Sequence, residues 1–410
     1  MTFSLGTILV GALLLLIQVL AALPWLALLF LNRAQLTELR RRPFARPVLV
    51  RAAAVLGACL LAPAVFGVFV QERTALEVCG HIYGAALQLQ LLADLFILAF
   101  VVLLAVWPKG GAVALASFRE GVRQSMFWLL VGIALLAMTI SPLFPYFTFG
   151  EDHLVVKELG YDTIMFVAAV FGALAASLFV SEEIEGRTAI TLMSKPVSRR
   201  QFLMGKYVGI LMAALVMFAL LGTYFEGVQL FKHWWDRLDA TPTPAWVAST
   251  LEALGLPGEA NDFLRGAGLW TSLTLDTLPG LVLGFSQVMV LVAVAVSLAT
   301  RVPMVVNLTT VLVVYFLAHL TPVLVSIGNR AKAADPGSAV SQLLAFMAQV
   351  FDTVLPDLGA FRMDPALLSD TPLPALPFTQ YFGSVALYGV LYTSIVLFFG
   401  LILFEDRDLA

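Results

Sequence analysis

The sequence predicts an all-α fold, a polytopic membrane helix bundle of about nine transmembrane helices, and three observations carry that prediction. Hydrophobic residues make up 60% of the 410 positions and charged residues only 12%, with a mean hydropathy of +0.93. Such a chain has too little polar surface to cover a water-soluble globule of its size. Its apolar residues gather in runs of roughly 20, each long enough to cross a ~30 Å hydrocarbon layer at ~1.5 Å per residue. Lys and Arg cluster in the connections that alternate spans would place on one side, as the positive-inside rule requires of the cytoplasmic face.

The first run, residues 5–31, follows an uncharged start and is followed by Arg33, Arg40, Arg41, Arg42, Arg46 and Arg51. The N-terminus is therefore expected outside and residues 32–47 inside. Residues 48–70 return outward and residues 82–107 inward, completing a three-helix N-terminal extension, 1–107. Asp94 lies within the third run, where an acid facing lipid costs a few kcal/mol, so it is expected to face protein. Cys79 and His81 flank Gly80 with no further ligand nearby, a poor metal site. Two cysteines, Cys59 and Cys79, make no disulfide framework.

Residues 108–125 form a connector. Phe118 and Val122 lie four apart, with Arg119, Glu120 and Arg123 on the remaining surface, a pattern that predicts an amphipathic helix in the membrane interface. The remaining span, 126–410, holds six further runs: 127–147, 163–180, 202–224, 278–298, 303–327 and 381–404. Gly172, Ala173 and Ala176, and then Gly205 and Gly209, form small-residue faces that permit close helix approach. Two longer outer regions interrupt the series, 225–275 and 328–380. The first carries Trp234, Trp235, Trp246 and Trp270, which suit an interfacial belt. The second contains apolar residues at helical spacing over 338–355, which predict an amphipathic helix on the outer surface. With this topology sixteen of the 24 Lys and Arg residues fall inside, although the outer segments are longer.

Between two of these spans lies the most charge-dense segment of its kind, Ser181 to Lys206. Glu183 and Arg187 are four apart, the spacing at which opposite charges meet on one helix face; Gly186 offers a stop, and Pro196 forbids helix continuation. An ordinary solvated loop whose charges only set topology accounts for the arginines, but not for the order of the parts.

That order, Glu-Glu-Ile-Glu-Gly-Arg-Thr, an apolar spacer, Lys-Pro-Val-Ser-Arg-Arg, then Gly-Lys at the next helix, resembles the signature of the type-2 (ABC-2) permease family of ATP-binding-cassette transporters. The resemblance covers about residues 113–410 and departs from the usual pattern in the insertion of Arg187 between Gly186 and Thr188. It implies a six-helix permease core preceded by an elbow helix bearing Arg119, Glu120 and Arg123. It also implies a loop that couples to an ATPase through Glu182, Glu183, Glu185, Gly186, Arg187, Thr188, Lys195, Pro196, Val197, Arg199, Arg200 and Lys206. A closing Phe404 followed by Arg407-Asp408-Leu409 is similar to the end of such permeases.

The chain carries no Gly-x-x-x-x-Gly-Lys-[Ser/Thr] loop and no soluble segment large enough to hold a nucleotide. Nor has it a His-Glu-x-x-His or Gly-x-Ser-x-Gly constellation. The resemblance therefore implies a non-enzymatic transport subunit that binds no cofactor itself. ATP and Mg would belong to a separate ABC ATPase, and a second permease, identical or homologous, would complete the assembly. The expected setting is the lipid bilayer, the inner membrane if the source is bacterial, with the C-terminus cytoplasmic and no nucleic-acid partner. Export is the expected direction. Two other classes stay open: an ion-coupled secondary transporter, for which Asp94 and His319 are the suggestive residues, and a non-transporting scaffold or assembly protein.

Overall fold

The computed structural model describes residues 5–24, 72–146, 152–185, 197–235, 243–256, 258–335, 338–362 and 375–405. Among them there is no strand. The helices are α1 (Leu5–Ala21), α2 (Arg73–Val106), α3 (Pro108–Arg123), α4 (Ser125–Ile140), α5 (Asp152–Ala176), α6 (Arg199–Trp235), α7 (Ala245–Leu254), α8 (Gly258–Ala299), α9 (Met304–Ala334), α10 (Ala339–Val354) and α11 (Ala375–Glu405). Seven described helical stretches are long and apolar enough to cross a membrane, and they correspond in order to the third through ninth predicted spans. Of the first predicted span, α1 describes 17 residues; the second, 48–70, lies outside the described residues.

Two compact units divide the chain. One comprises Met1–Val106 and His233–Thr277. In it Tyr83 donates to the Leu14 carbonyl at 2.7 Å, joining α2 to α1. The early part of α8 crosses α2 backbone to backbone: a Cβ on Gly80 would lie 2.2 Å from the Phe263 carbonyl oxygen, and one on Gly266 would lie 2.1 Å from that of Glu77. Only glycine at both positions allows that approach. Trp270 is buried, and its indole N–H donates to Gln88 at 2.6 Å. It is a packing residue rather than part of a surface belt, unlike the exposed Trp234, Trp235 and Trp246. The described residues of 225–275, a stretch expected outside, are thus largely helix, with α6 continuing to Trp235 and α8 already begun at Gly258.

The other unit, Trp107–Lys232 and Leu278–Ala410, is organised on α5. Of its spanning helices α5 has the most enclosed apolar stretch, 72% buried against 22% for α9 and 28% for α11. Small residues set this position. Gly160 receives the Phe225 ring of α6, Gly172 receives Val292 of α8, and Ala173 and Ala176 are buried beside them. With little hydrophobic force between helices in lipid, such close packing is the main source of their association. The helix α5 then loosens into a π turn, Ser177–Ser181, and ends in a last helical turn, Glu182–Glu185.

The amphipathic helix over 338–355 is present as α10, but it runs back along α9 instead of lying flat. A Cβ on Gly328 would meet Ala345 and Ala348 at 3.1 and 3.3 Å, and further on Gly359 faces Pro322. Tyr392 of α11 donates to the Val354 carbonyl at 3.2 Å. That contact lies about 20 Å along α11 from Glu405 at ~1.5 Å per residue, well within a ~30 Å apolar layer. The physical reason is the small face of α10: Ser341 and Ala348 let it sink against α9, while Val340, Leu343 and Phe346 remain exposed on its other side.

Candidate functional site

Five chain segments meet at one end of the second unit: α3, the end of α5, the start of α6, the turn between α8 and α9, and the end of α11. The connection between α3 and α4 is one extended residue, Gln124, whose backbone N–H still bonds back to Glu120 and Gly121. The buried face of α3 is a stripe of small residues, Gly110, Gly111, Ala114, Ser117 and Gly121. On α6, a Cβ at Gly209 would lie 2.5 Å from the Ala114 carbonyl oxygen, and one at Gly205 would lie 2.8 Å from the Val113 Cβ. Helix α3 is thereby keyed to α6 through its glycines, while Phe118 and Val122 only border the core.

Against this junction stands Lys206, whose side chain is only 6% exposed. Its Nζ donates to Glu183 Oε1 at 2.6 Å and lies 4.0 Å from Glu120 Oε2. Its Nζ also lies 5.8 Å from the ring centroids of both Phe179 and Phe202, a cation–π environment. A buried ammonium survives only when paired in this way. One cation therefore ties the outgoing arm of the polar excursion, the returning arm and the α3 helix together. The Glu120 carboxyl is pushed above its ordinary range, first by burial and then by Glu183, with Lys206 opposing. Arg119 and Arg123 project from the exposed side of α3.

The start of α6 is built as a capping box. Ser198 Oγ accepts from the Gln201 N–H at 3.2 Å, and Gln201 Oε1 accepts from the Ser198 N–H at 3.1 Å. The signal, Ser-x-x-Gln after a proline, is readable in the sequence as a helix start. Arg199 donates to the Phe404 and Glu405 carbonyls at 3.1 and 2.8 Å, satisfying acceptors that a helix end leaves open. Phe404, fully buried, stacks on Phe202 with ring centroids 6.0 Å apart. Arg200 pairs with the Glu405 carboxylate at 2.6 Å in an exposed position. The two arginines thus hold the end of α11, a role their sequence positions alone did not reveal. The turn after α8 is held as well: Ser181 Oγ lies 3.3 Å from the carbonyl oxygens of Ala299 and Val302. Asn307 donates to Ser177 Oγ and to the Ala295 carbonyl, both at 3.1 Å.

Of the predicted site residues, the structure brings together Glu183, Lys206 and Glu120 in one cluster, and Arg199 and Arg200 in another. Val197 packs against the core. Gly186, Arg187, Thr188, Lys195 and Pro196 lie outside the described residues, as do the side chains of Glu182 and Glu185. Glu183, expected to make polar contacts at an ATPase joint, pairs within the chain with Lys206, at which its position one turn beyond Phe179 aims it.

The polar positions on α8 and α9 are also engaged. His319 donates through Nδ1 to the Tyr315 carbonyl at 2.8 Å, which leaves Nε2 to accept from the Gln287 amide at 3.2 Å. In the other unit Asp94 is buried and accepts from Gln90 at 3.2 Å, and His81 donates to the Gly266 carbonyl at 2.9 Å.

Residues 122–252 match a family model described as ABC-2 family transporter protein. The matched stretch contains α4, α5, the polar excursion and α6, and so includes Glu183 and Lys206. No curated protein matches the chain significantly.

Proposed function

We propose, taking the ABC-2 match over residues 122–252 as the premise, that this chain is the membrane permease subunit of an ATP-driven exporter. A separate ABC ATPase, holding ATP and Mg, docks on the segment between Ser181 and Arg199. That segment and the end of α11 face the cytoplasm, in keeping with the Lys and Arg distribution, and a second permease chain completes the translocator.

The observation that carries the reading is the Lys206 cluster. It joins both arms of the excursion to α3 through charge-assisted contacts of 2.6 and 4.0 Å. A push on the excursion is therefore delivered to α5, α6 and α3 together. Tightly packed helices shift as rigid bodies between discrete arrangements rather than bending continuously. Nucleotide-driven closure of the ATPase would move them in this way between two access states. Glu183 and Lys206 act within the permease as the transmitting joint, and Glu182, Glu185, Arg187 and Lys195 are the residues that would make the contacts to the motor.

The test is purification of the chain with its native neighbours from the source membrane. Co-purification of an ABC ATPase, whose hydrolysis falls when Glu183→Lys is introduced while membrane insertion is retained, is expected. Absence of any ATPase partner would overturn the proposal. So would modification of a cysteine placed at Ser194 by a membrane-impermeant reagent applied to intact cells.

A further inference from the structure

At the opposite end of α5 a second charged cluster closes the unit. Arg362 Nη2 donates to Asp162 Oδ2 at 2.5 Å and to Glu158 Oε1 at 3.1 Å. The two carboxylates are four apart on one face of α5. Arg362 lies on the connection that follows α10, and the described part of this connection, the 355–362 return, is fastened to α11 on its other side. Tyr381 donates to the Ala360 carbonyl at 2.9 Å, the Asp357 N–H donates to Tyr388 at 2.9 Å, and buried Phe361 packs against Gly389 and the Tyr388 ring. Beside the arginine, Met165, Gly280 and Phe361 line a small recess with room for no more than about one water.

The two fastenings differ in kind. Toward α11 the return is held by a buried ring and hydrogen bonds. Toward α5 it is held by an ion pair whose members are 38 and 41% exposed, a contact that water can replace at little cost. Helix α5 is also the element whose other end carries Glu183 and the Lys206 joint, so displacement at that end is transmitted to Glu158 and Asp162.

We propose that Arg362, Glu158 and Asp162 form the bolt of an outer gate, which holds the 355–362 return over the recess and releases when α5 moves. This rests on the alternating-access reading above. On release, the like-charged carboxylates gain water, the return stays with α11, and the recess opens toward the outer face. In the sequence Arg362 is only one more outside cation, because its partners lie some 200 positions away.

The test is thiol labelling of the full chain in membranes, without nucleotide, after Cys59 and Cys79 are replaced by serine. A cysteine at Met165, on the recess floor, reports opening; one at exposed Phe144 is the control. Introducing Arg362→Gln should speed modification of the Met165 cysteine about fivefold, the scale set by loss of a partly exposed ion pair. Arg362→Lys, which keeps the charge, and the Asp162→Arg/Arg362→Asp exchange should stay nearer the parent rate than Arg362→Gln. The inference is overturned by a parent-like rate in Arg362→Gln, by an equal rise at the Phe144 cysteine, or by failure of both charge-retaining variants to restore protection. Because the measurement needs no motor, a negative result beside a co-purifying ATPase removes the bolt alone. Loss of the ATPase partner would remove the transport reading and leave the labelling result standing.

Discussion

Removing the Lys206 charge should disturb the fold less than removing its partners, an asymmetry that follows from burial. With an effective dielectric constant near 20, opposite unit charges attract by about 6 kcal/mol at 2.6 Å and about 4 kcal/mol at 4.0 Å. Glu120 can therefore retain roughly two-fifths of the summed attraction when Glu183 is lost, and because water re-solvates part of the site Glu183→Gln should cost about 2 kcal/mol. The double change Glu120→Gln/Glu183→Gln strands a nearly inaccessible ammonium and should cost about 3–5 kcal/mol. Lys206→Met places an unbranched apolar chain between Phe179 and Phe202, and of the two carboxylates it leaves behind the Glu120 side chain is 46% exposed and that of Glu183 23%. That variant should stay within about 1 kcal/mol of the parent, and adding it to the double change should restore most of the loss. Thermal unfolding of the purified chain in detergent, read as a double-mutant cycle, supplies the values. Coupled ATPase activity of the reconstituted complex supplies the functional readout, in which Lys206→Met should be folded yet poorly coupled. The reasoning fails if Lys206→Met unfolds as readily as the double carboxamide variant, or if it couples at the parent rate.

Three further outcomes are expected. Gly209→Leu should destabilise the chain by about 1–3 kcal/mol in the same unfolding assay, because even its Cβ would meet the α3 backbone at 2.5 Å; Gly132→Ala, with nothing within 4 Å, should be nearly silent. Ser198→Ala should cost about 1 kcal/mol through loss of the helix cap, and hydrogen exchange should show the first turn of α6 fraying. Glu120 has a raised folded pKa, so its contribution to stability is fully present below the ordinary carboxylate range and is lost as pH rises through the raised value. Glu120→Gln should flatten that part of the stability-against-pH curve, by a small amount because the group is half exposed.

Much of the spanning architecture is legible because lipid imposes a single demand: roughly 20 apolar residues in a row, with the backbone paired within the helix. Composition and run length are local, and the seven described spans follow them closely. The extension of α6 to Trp235 and the start of α8 at Gly258 were less visible, since tryptophan, proline and acidic residues there match an interfacial loop as well as a helix outside the apolar layer. For α10 the spacing was legible and the depth was not. Helical periodicity reports which residues share a face, whereas the descent along α9 depends on Gly328 meeting Ala345 and Ala348.

The candidate site divides in the same way. Glu183 and Lys206 could be picked out as charges beside a membrane, and the Ser198-to-Gln201 box was present to be read, because both are short-range patterns. The partners of Arg199 and Arg200 at Phe404 and Glu405 lie more than 200 positions away, and a charge alone does not name its counter-charge.

By itself, then, the sequence determined that this chain lives in a bilayer, where its apolar spans run, and which polar excursion stands out among them. Tertiary structure alone decided that Lys206 binds three segments into one joint, that small residues on α3 key it to α6, and that Arg362 closes the other end of α5. Insertion into lipid is settled residue by residue through transfer from water. Pairing in the low-dielectric interior depends instead on distances between segments that only the folded chain brings together.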